Sequence, residues 1–183
     1  MTRGVILHLH RNEVVLRGFS QITCIPTPPA GSPSDAGNRP ITYRLQGGFN
    51  GDHDPTAPHC ADWSYGNRTP TADCVGFDLW ASGIDRCQPN YKGSEDEWLA
   101  CQSLLDDAKG EKVFCYEVAR EHSLPGDWLV TSDHMALIIS PPANGRDCLV
   151  IDCSPRHGWV QSINIGLPWS TSCKVLRPNF YLD

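Results

Sequence analysis

Positive charge is in short supply: Lys+Arg number 15 against 21 Asp+Glu, a formal net charge of −6 over 183 residues. That balance leaves no broad basic face, which excludes a nucleic-acid or anionic-bilayer binder held by bulk electrostatic attraction. Any partner is expected to be recognised by shape and local chemistry. Long hydrophobic runs are missing as well. The apolar stretch at 5–9 is too short for a signal-peptide core and is interrupted by His8. The longest run elsewhere, 135–139, falls far below the roughly 18 residues of a spanning helix. A chain made in the cytoplasm without a signal peptide, and without membrane insertion, is expected. No repeat recurs at a fixed period, and no cofactor is expected.

Hydrophobic residues make up 40% of the chain, enough for one core, and at about 150 residues per domain the length points to one domain. Gly 16 and Pro 15 predict many turns and few long helices. Cysteine stands out. Nine is an odd number, so a fully bridged framework would leave one thiol over. In a reducing compartment most of the nine are better read as small buried hydrophobes.

The segments 5–9 and 13–16 fit a hairpin or a helix equally well. The tract at 26–40, with TPPAGSPSDAGNRP at 27–40, reads as an extended linker. A polar, aperiodic loop spans 47–73. A helix is predicted next, with Thr71 and Asp73 as candidate caps, Cys74, Phe77, Trp80, Ala81 and Ile84 at helical spacing, and Gly83 as the stop. A second helix is predicted over 95–109, with Ser94 and Glu97 as a capping box, Trp98, Cys101, Leu105 and Ala108 on one face, and Gly110 at its end. From there β-prone runs at 128–130, 135–140, 149–153, 163–167 and 174–176 predict an antiparallel meander. Helices first and strands after give an α+β class.

Within TADCVGFDLWASGIDR at 71–86, Cys74 falls in the first turn of a predicted helix, where unpaired N–H groups favour thiolate over thiol. His134 opens the strand at 135–140 and is a candidate proton acceptor. Asp152, within CLVIDCS at 148–154, is a candidate to fix the imidazole tautomer. Other uses of these residue types remain open. His53, His59 and Cys60, or Cys148, Cys153 and His157, are candidate zinc ligands, though neither set has a recurrent paired-ligand spacing.

These segments resemble a known family. DCVGFDLW at 73–80 is similar to the D-C-S-G-F motif of the NlpC-type cell-wall cysteine endopeptidases, which are papain-like. The longer DCVGFDLWASGIDR at 73–86 is close to the D-C-S-G-F-x-x-W-x-x-G variant of phage and bacterial members. PGDWLVTSDHMALII at 125–139 is similar to their P-G-D-L run leading into H-V-G-I, and YRLQGG at 43–48 to their Tyr followed by a Gly pair. The resemblance covers 41 to about 161. Val75 departs from the family Ser, Met135 and Ala136 depart from the usual Val-Gly, and 49–73 is an insertion expected to form a wall or lid of the cleft.

The resemblance implies a papain-like α+β domain at 41–183, its nucleophile helix packed on an antiparallel sheet, preceded by an arm and linker at 1–40. It implies Cys74 as nucleophile, His134 as general base and Asp152 as the residue orienting the imidazole, with Ser154 or His157 as substitutes for Asp152. Tyr43, Asp73, Val75 and Gly76 become candidate substrate-binding positions, and the Cys74 N–H a candidate oxyanion donor. The implied substrate is the stem peptide of peptidoglycan, cut between a D-glutamyl unit and the following diamino acid, with Arg68, Arg86 or Arg156 as partners for a stem carboxylate. A monomer without metal or cofactor is expected, acting at the bacterial cell wall after release, injection or secretion, as a phage lysin, a tail enzyme or a delivered effector. The same three residues also suit acyl transfer or a sugar-to-alanine amidase, and a non-catalytic papain-like binding module is the bland alternative.

Overall fold

A computed structural model describes residues 4–23, 42–43, 71–88, 97–141, 147–154, 160–165 and 173–183. The expected linker at 26–40, most of the loop at 47–73, and His53, His59, Cys60, Arg68, Arg156 and His157 lie outside these residues.

The class is α+β. Six strands form one antiparallel sheet: β5 (Cys115–Val118), β6 (Trp128–Val130), β7 (Met135–Ser140), β8 (Cys148–Cys153), β9 (Val160–Ile165) and β10 (Lys174–Pro178). Their spatial order is β5-β10-β6-β7-β8-β9, so β6 through β9 make a meander as expected, but β10, expected as its last strand, does not follow β9 and returns to lie between β5 and β6. Two shorter pairs stand apart from this sheet. In one, β1 (Thr42–Tyr43) runs parallel to β2 (Thr71–Ala72); in the other, β3 (Cys87–Gln88) runs antiparallel to β4 (Glu97–Trp98).

Side-chain alternation explains why the central strands read as nearly continuous apolar runs. Trp128, Val130, Met135, Leu137, Ile151, Cys153 and Leu176 join the main core, whereas Leu129, Ala136, Ile138, Cys148, Val150 and Val175 form a second apolar layer. Residues adjacent in sequence thus point to opposite faces of the sheet, and both faces are apolar.

The helix α2 (Cys74–Ala81) packs on β7 and β8, and α1 (Arg11–Thr23) packs on α2 and the sheet. Every residue of α2 is buried, as expected for a helix apolar on nearly all sides. Its end is set by Gly83, whose φ of +76° is left-handed backbone and whose N–H bonds to Trp80 O at 2.9 Å. The chain then turns so that Ile6 and Ile84 form an antiparallel bridge.

Two expectations change here. Residues 4–23, expected in an arm before the domain, are built into the same core: Val14 is fully buried, and a Cβ on Gly18 would lie 2.9 Å from Leu137 and 3.0 Å from Ile151. The second predicted helix begins later than position 95. Glu97 and Trp98 are held extended by pairing with β3, Leu99 N–H bonds to Arg86 O at 3.0 Å, and α3 runs only over Cys101–Lys109. Its first turn is closed by Ser103, whose Oγ accepts from Ala100 N–H at 2.7 Å, in place of the expected Ser94 and Glu97 box. Strand β5, which is not among the predicted runs, is anchored by Asp107 of α3, whose carboxylate accepts from the N–H groups of Val113, Phe114 and Cys115.

Candidate active site

Cys74 is the first residue of α2. Asp73 caps that helix, its backbone extended and its Oδ1 accepting from Gly76 N–H at 2.8 Å. The same oxygen receives Arg86 Nη1 at 2.8 Å, and Arg86 Nε donates to Leu99 O at 3.0 Å. Both members of this ion pair are buried. A buried pair of this kind fixes geometry more than it adds stability, and here it ties the start of α2 to the segment leading into α3. Arg86 is thereby engaged with Asp73 and is no longer a candidate for a substrate carboxylate.

His134 is placed by a tight turn between β6 and β7. Thr131 N–H bonds to His134 O at 2.8 Å, and Thr131 Oγ1 accepts from His134 N–H at 3.0 Å. Because β7 and β8 run antiparallel, the residue opening β7 comes beside the end of β8, where Asp152 lies. His134 Nε2 and Asp152 Oδ1 are 2.7 Å apart, the carboxylate 5% exposed and the imidazole 21%. The imidazole and Cys74 also interact electrostatically, each favouring the other's charged form. The structure therefore brings together Cys74, His134 and Asp152, from one helix and two strands.

The remaining candidate positions are placed as follows. Tyr43 lies on β1 in register with Ala72, two residues before Cys74. Val75 is buried in the main core, and Gly76 gives its N–H to Asp73, so Asp73, Val75 and Gly76 all take part in holding the N-terminus of α2. Ser154 is buried beside the end of β8. Cys148 and Cys153 both lie on β8, and no group of three metal-ligating side chains occurs among the described residues. The six cysteines whose side chains are described, Cys74, Cys101, Cys115, Cys148, Cys153 and Cys173, are free thiols.

Two residues that act on this site had no site role in the sequence expectations, Cys101 being placed only on a helix face. Cys101, the first residue of α3, is the neighbour that most favours the Cys74 thiolate. Asp78 follows Cys74 by one helical turn, is fully buried, and has neither carboxylate oxygen hydrogen-bonded. Its pKa is pushed well up, first by burial and then by the charges of Cys74 and Asp152, so it is held as a neutral acid. An acidic residue within an apolar helix was the available signal for Asp78. For Cys101 the signal was its place in a first turn, which a helix started at 95 concealed.

The electrostatics favour an ion pair at the centre. The Cys74 pKa is lowered from 9.0 to about 5, chiefly by Cys101, then, against the opposing effect of burial, by His134. Burial acts to lower the His134 pKa, but Asp152 and Cys74 outweigh it and raise it to about 10. Thiolate and imidazolium are thus the stable forms between those two values. Such a pair combines a nucleophile with an acid able to protonate a leaving group. By contrast, Cys115, Cys148 and Cys153 are pushed up by burial first, which leaves them protonated and inert.

No family model, curated protein or solved structure matches this chain. Among the described residues, no helix is long and apolar enough to cross a membrane.

Proposed function

We propose that the protein is a cysteine hydrolase of the NlpC type that cleaves an amide bond in the stem peptide of peptidoglycan. One observation carries the chemistry: an imidazole held 2.7 Å from a buried carboxylate lies in the electrostatic reach of a thiol at the start of a helix and favours its thiolate. The motif resemblance at 73–86 and 125–139 supplies the substrate class, and a nucleophile helix packed on an antiparallel sheet is the arrangement that resemblance implies.

In this reading Cys74 Sγ attacks the scissile carbonyl. The developing oxyanion lies toward the start of α2, where the first N–H groups lack intrahelical partners. His134 gives its proton to the leaving amine and then, neutral, takes one from the water that hydrolyses the thioester. Asp152 holds the ring in orientation and stabilises its charged form. Asp73 and Arg86 act earlier, by fixing where α2 begins.

Digestion of defined peptidoglycan followed by product analysis tests the proposal. New stem-peptide amines on intact glycans are expected, and Cys74→Ala should lower turnover by several orders of magnitude without unfolding the chain. Free lactyl groups would reassign the bond to the sugar-to-alanine amide. Tight binding without products would replace catalysis by a binding role.

A further inference from the structure

Strands β6 and β7 are joined by Thr131, Ser132, Asp133 and His134, between the paired positions Val130 and Met135. Ser132 and Asp133 form the two-residue tip. So tight a hairpin is ordinarily made by a turn whose first central residue has positive φ, because that backbone matches the twist of the flanking strands. Neither tip residue has it: among the described residues, Lys112 is the non-glycine at positive φ. The turn types left to this loop splay the strands they join. The residue that closes the loop, His134, is the one whose ring must stay aligned on Asp152.

Side chains close this turn. In an antiparallel closing pair the two residues exchange two main-chain bonds. Thr131 N–H gives one of them to His134 O at 2.8 Å, whereas His134 N–H runs to the Thr131 hydroxyl oxygen at 3.0 Å. That hydroxyl has one proton, and Asp133 Oδ1 accepts it at 2.8 Å, nearer than His134 O at 3.2 Å. With the proton drawn to the carboxylate, an oxygen lone pair is left for His134 N–H. Ser132 and Asp133 are exposed, so these bonds rather than burial hold the tip.

We propose that Thr131 and Asp133 are positioning residues for His134: the Asp133 carboxylate aims the Thr131 hydroxyl, and the hydroxyl fixes the main chain of the base so that its ring keeps its 2.7 Å approach to Asp152. The role rests on His134 acting as the base of a cysteine hydrolase, whichever amide is cleaved. Both residues act through the place of the imidazole. A ring set about 1 Å off its productive position costs on the order of 100-fold in rate. It also loses the partner that favours its charged form, and with it part of its hold on the Cys74 thiolate.

The test uses the whole chain and two readouts. Thr131→Val keeps the branched shape and removes the hydroxyl. Its kcat on defined peptidoglycan should fall about 10- to 100-fold with KM changed less than about twofold, and Thr131→Ser should recover most of the loss. Asp133→Asn, whose amide oxygen still accepts from the hydroxyl, should lose less than Asp133→Ala; equal losses would assign the effect to charge and overturn the aiming role. The second readout, the pH dependence of Cys74 alkylation, needs no substrate. Its midpoint should move to higher pH in Thr131→Val and in Asp133→Ala, and return toward wild type in Thr131→Ser. Shifted midpoints in a protein that leaves peptidoglycan intact would remove the peptidoglycan reading and support this one. An unchanged midpoint in folded Thr131→Val overturns the proposal, as does a loss that Thr131→Ser fails to recover. Should Thr131→Val not fold, Asp133→Ala at the exposed tip decides, and a wild-type midpoint there overturns it.

Discussion

Cys74 gains its character from neighbours drawn from three directions, and each leaves a separate trace on its pH behaviour. Alkylation of Cys74 should rise through about pH 5, far below the ordinary thiol value of 9.0, because the thiolate form is favoured above the lowered pKa. Cys101→Ala removes the leading cause of that lowering, so its alkylation profile should move to higher pH. Turnover needs the imidazolium as well, so its profile should carry a second limb near pH 10. An alkylation profile centred on the ordinary thiol value would remove the ion pair from the mechanism. Asp78 sets a different signal. Its folded pKa is raised above the ordinary 3.8, so its contribution to stability is complete below that value and is lost as pH rises, while the unfolded carboxyl ionises freely. Asp78→Asn should therefore unfold at a higher temperature than wild type at neutral pH, with the gap closing toward pH 4. Thermal melts across that range check it. Cys74, His134 and Asp152 could be read from sequence because each sits at a local boundary, a helix start or a strand end. The influence of Cys101 on Cys74 could not, because 27 residues separate them in sequence and no local pattern records it.

Helix and strand boundaries show the same division between local and distant causes. Asp73 as cap, Gly83 as stop and the run of β7 follow from residues a few positions apart, and the structure agrees with them. The start of α3 was missed because a two-residue pairing with β3, a partner about ten positions away, outweighs a plausible capping box. The sequence of α1 fits a helix or a hairpin equally well, and Gly18 shows why its helical pattern is faint. That position needs no side chain because α1 lies directly on Leu137 and Ile151, which weakens the local helix signal in order to permit close approach. At the other end of the helical layer, Gly83 combines left-handed backbone with a would-be Cβ only 2.8 Å from Leu7 Cβ. Gly83→Ala should cost at least the roughly 1–2 kcal/mol of a left-handed non-glycine residue. The loss should appear in denaturant unfolding, and near-equal midpoints would mean that the turn relaxes.

Asp127 joins the far ends of the described chain. It is fully buried, and its carboxylate receives Arg11 Nη1 at 2.8 Å from α1, Arg177 Nη2 at 2.8 Å from β10, and Leu124 N–H at 2.8 Å. Tyr181 adds a bond to Gly126 O at 2.8 Å, and Arg11 lies over its ring. Removing the shared carboxylate strands two guanidiniums, so Asp127→Ala should lose about 3–5 kcal/mol; equilibrium denaturation measures it, and a loss under 1 kcal/mol would show that water replaces the carboxylate. The sheet order carries a consequence for how the protein comes into being. Strand β10 lies between β5 and β6, although both are made long before it. A chain emerging from the ribosome therefore presents two strands with open edges, and the seam between them closes only after residues 174–178 have left the exit tunnel. Until then Asp127 lacks Arg177, and the nascent chain is at its most vulnerable to proteases and to pairing with its neighbours.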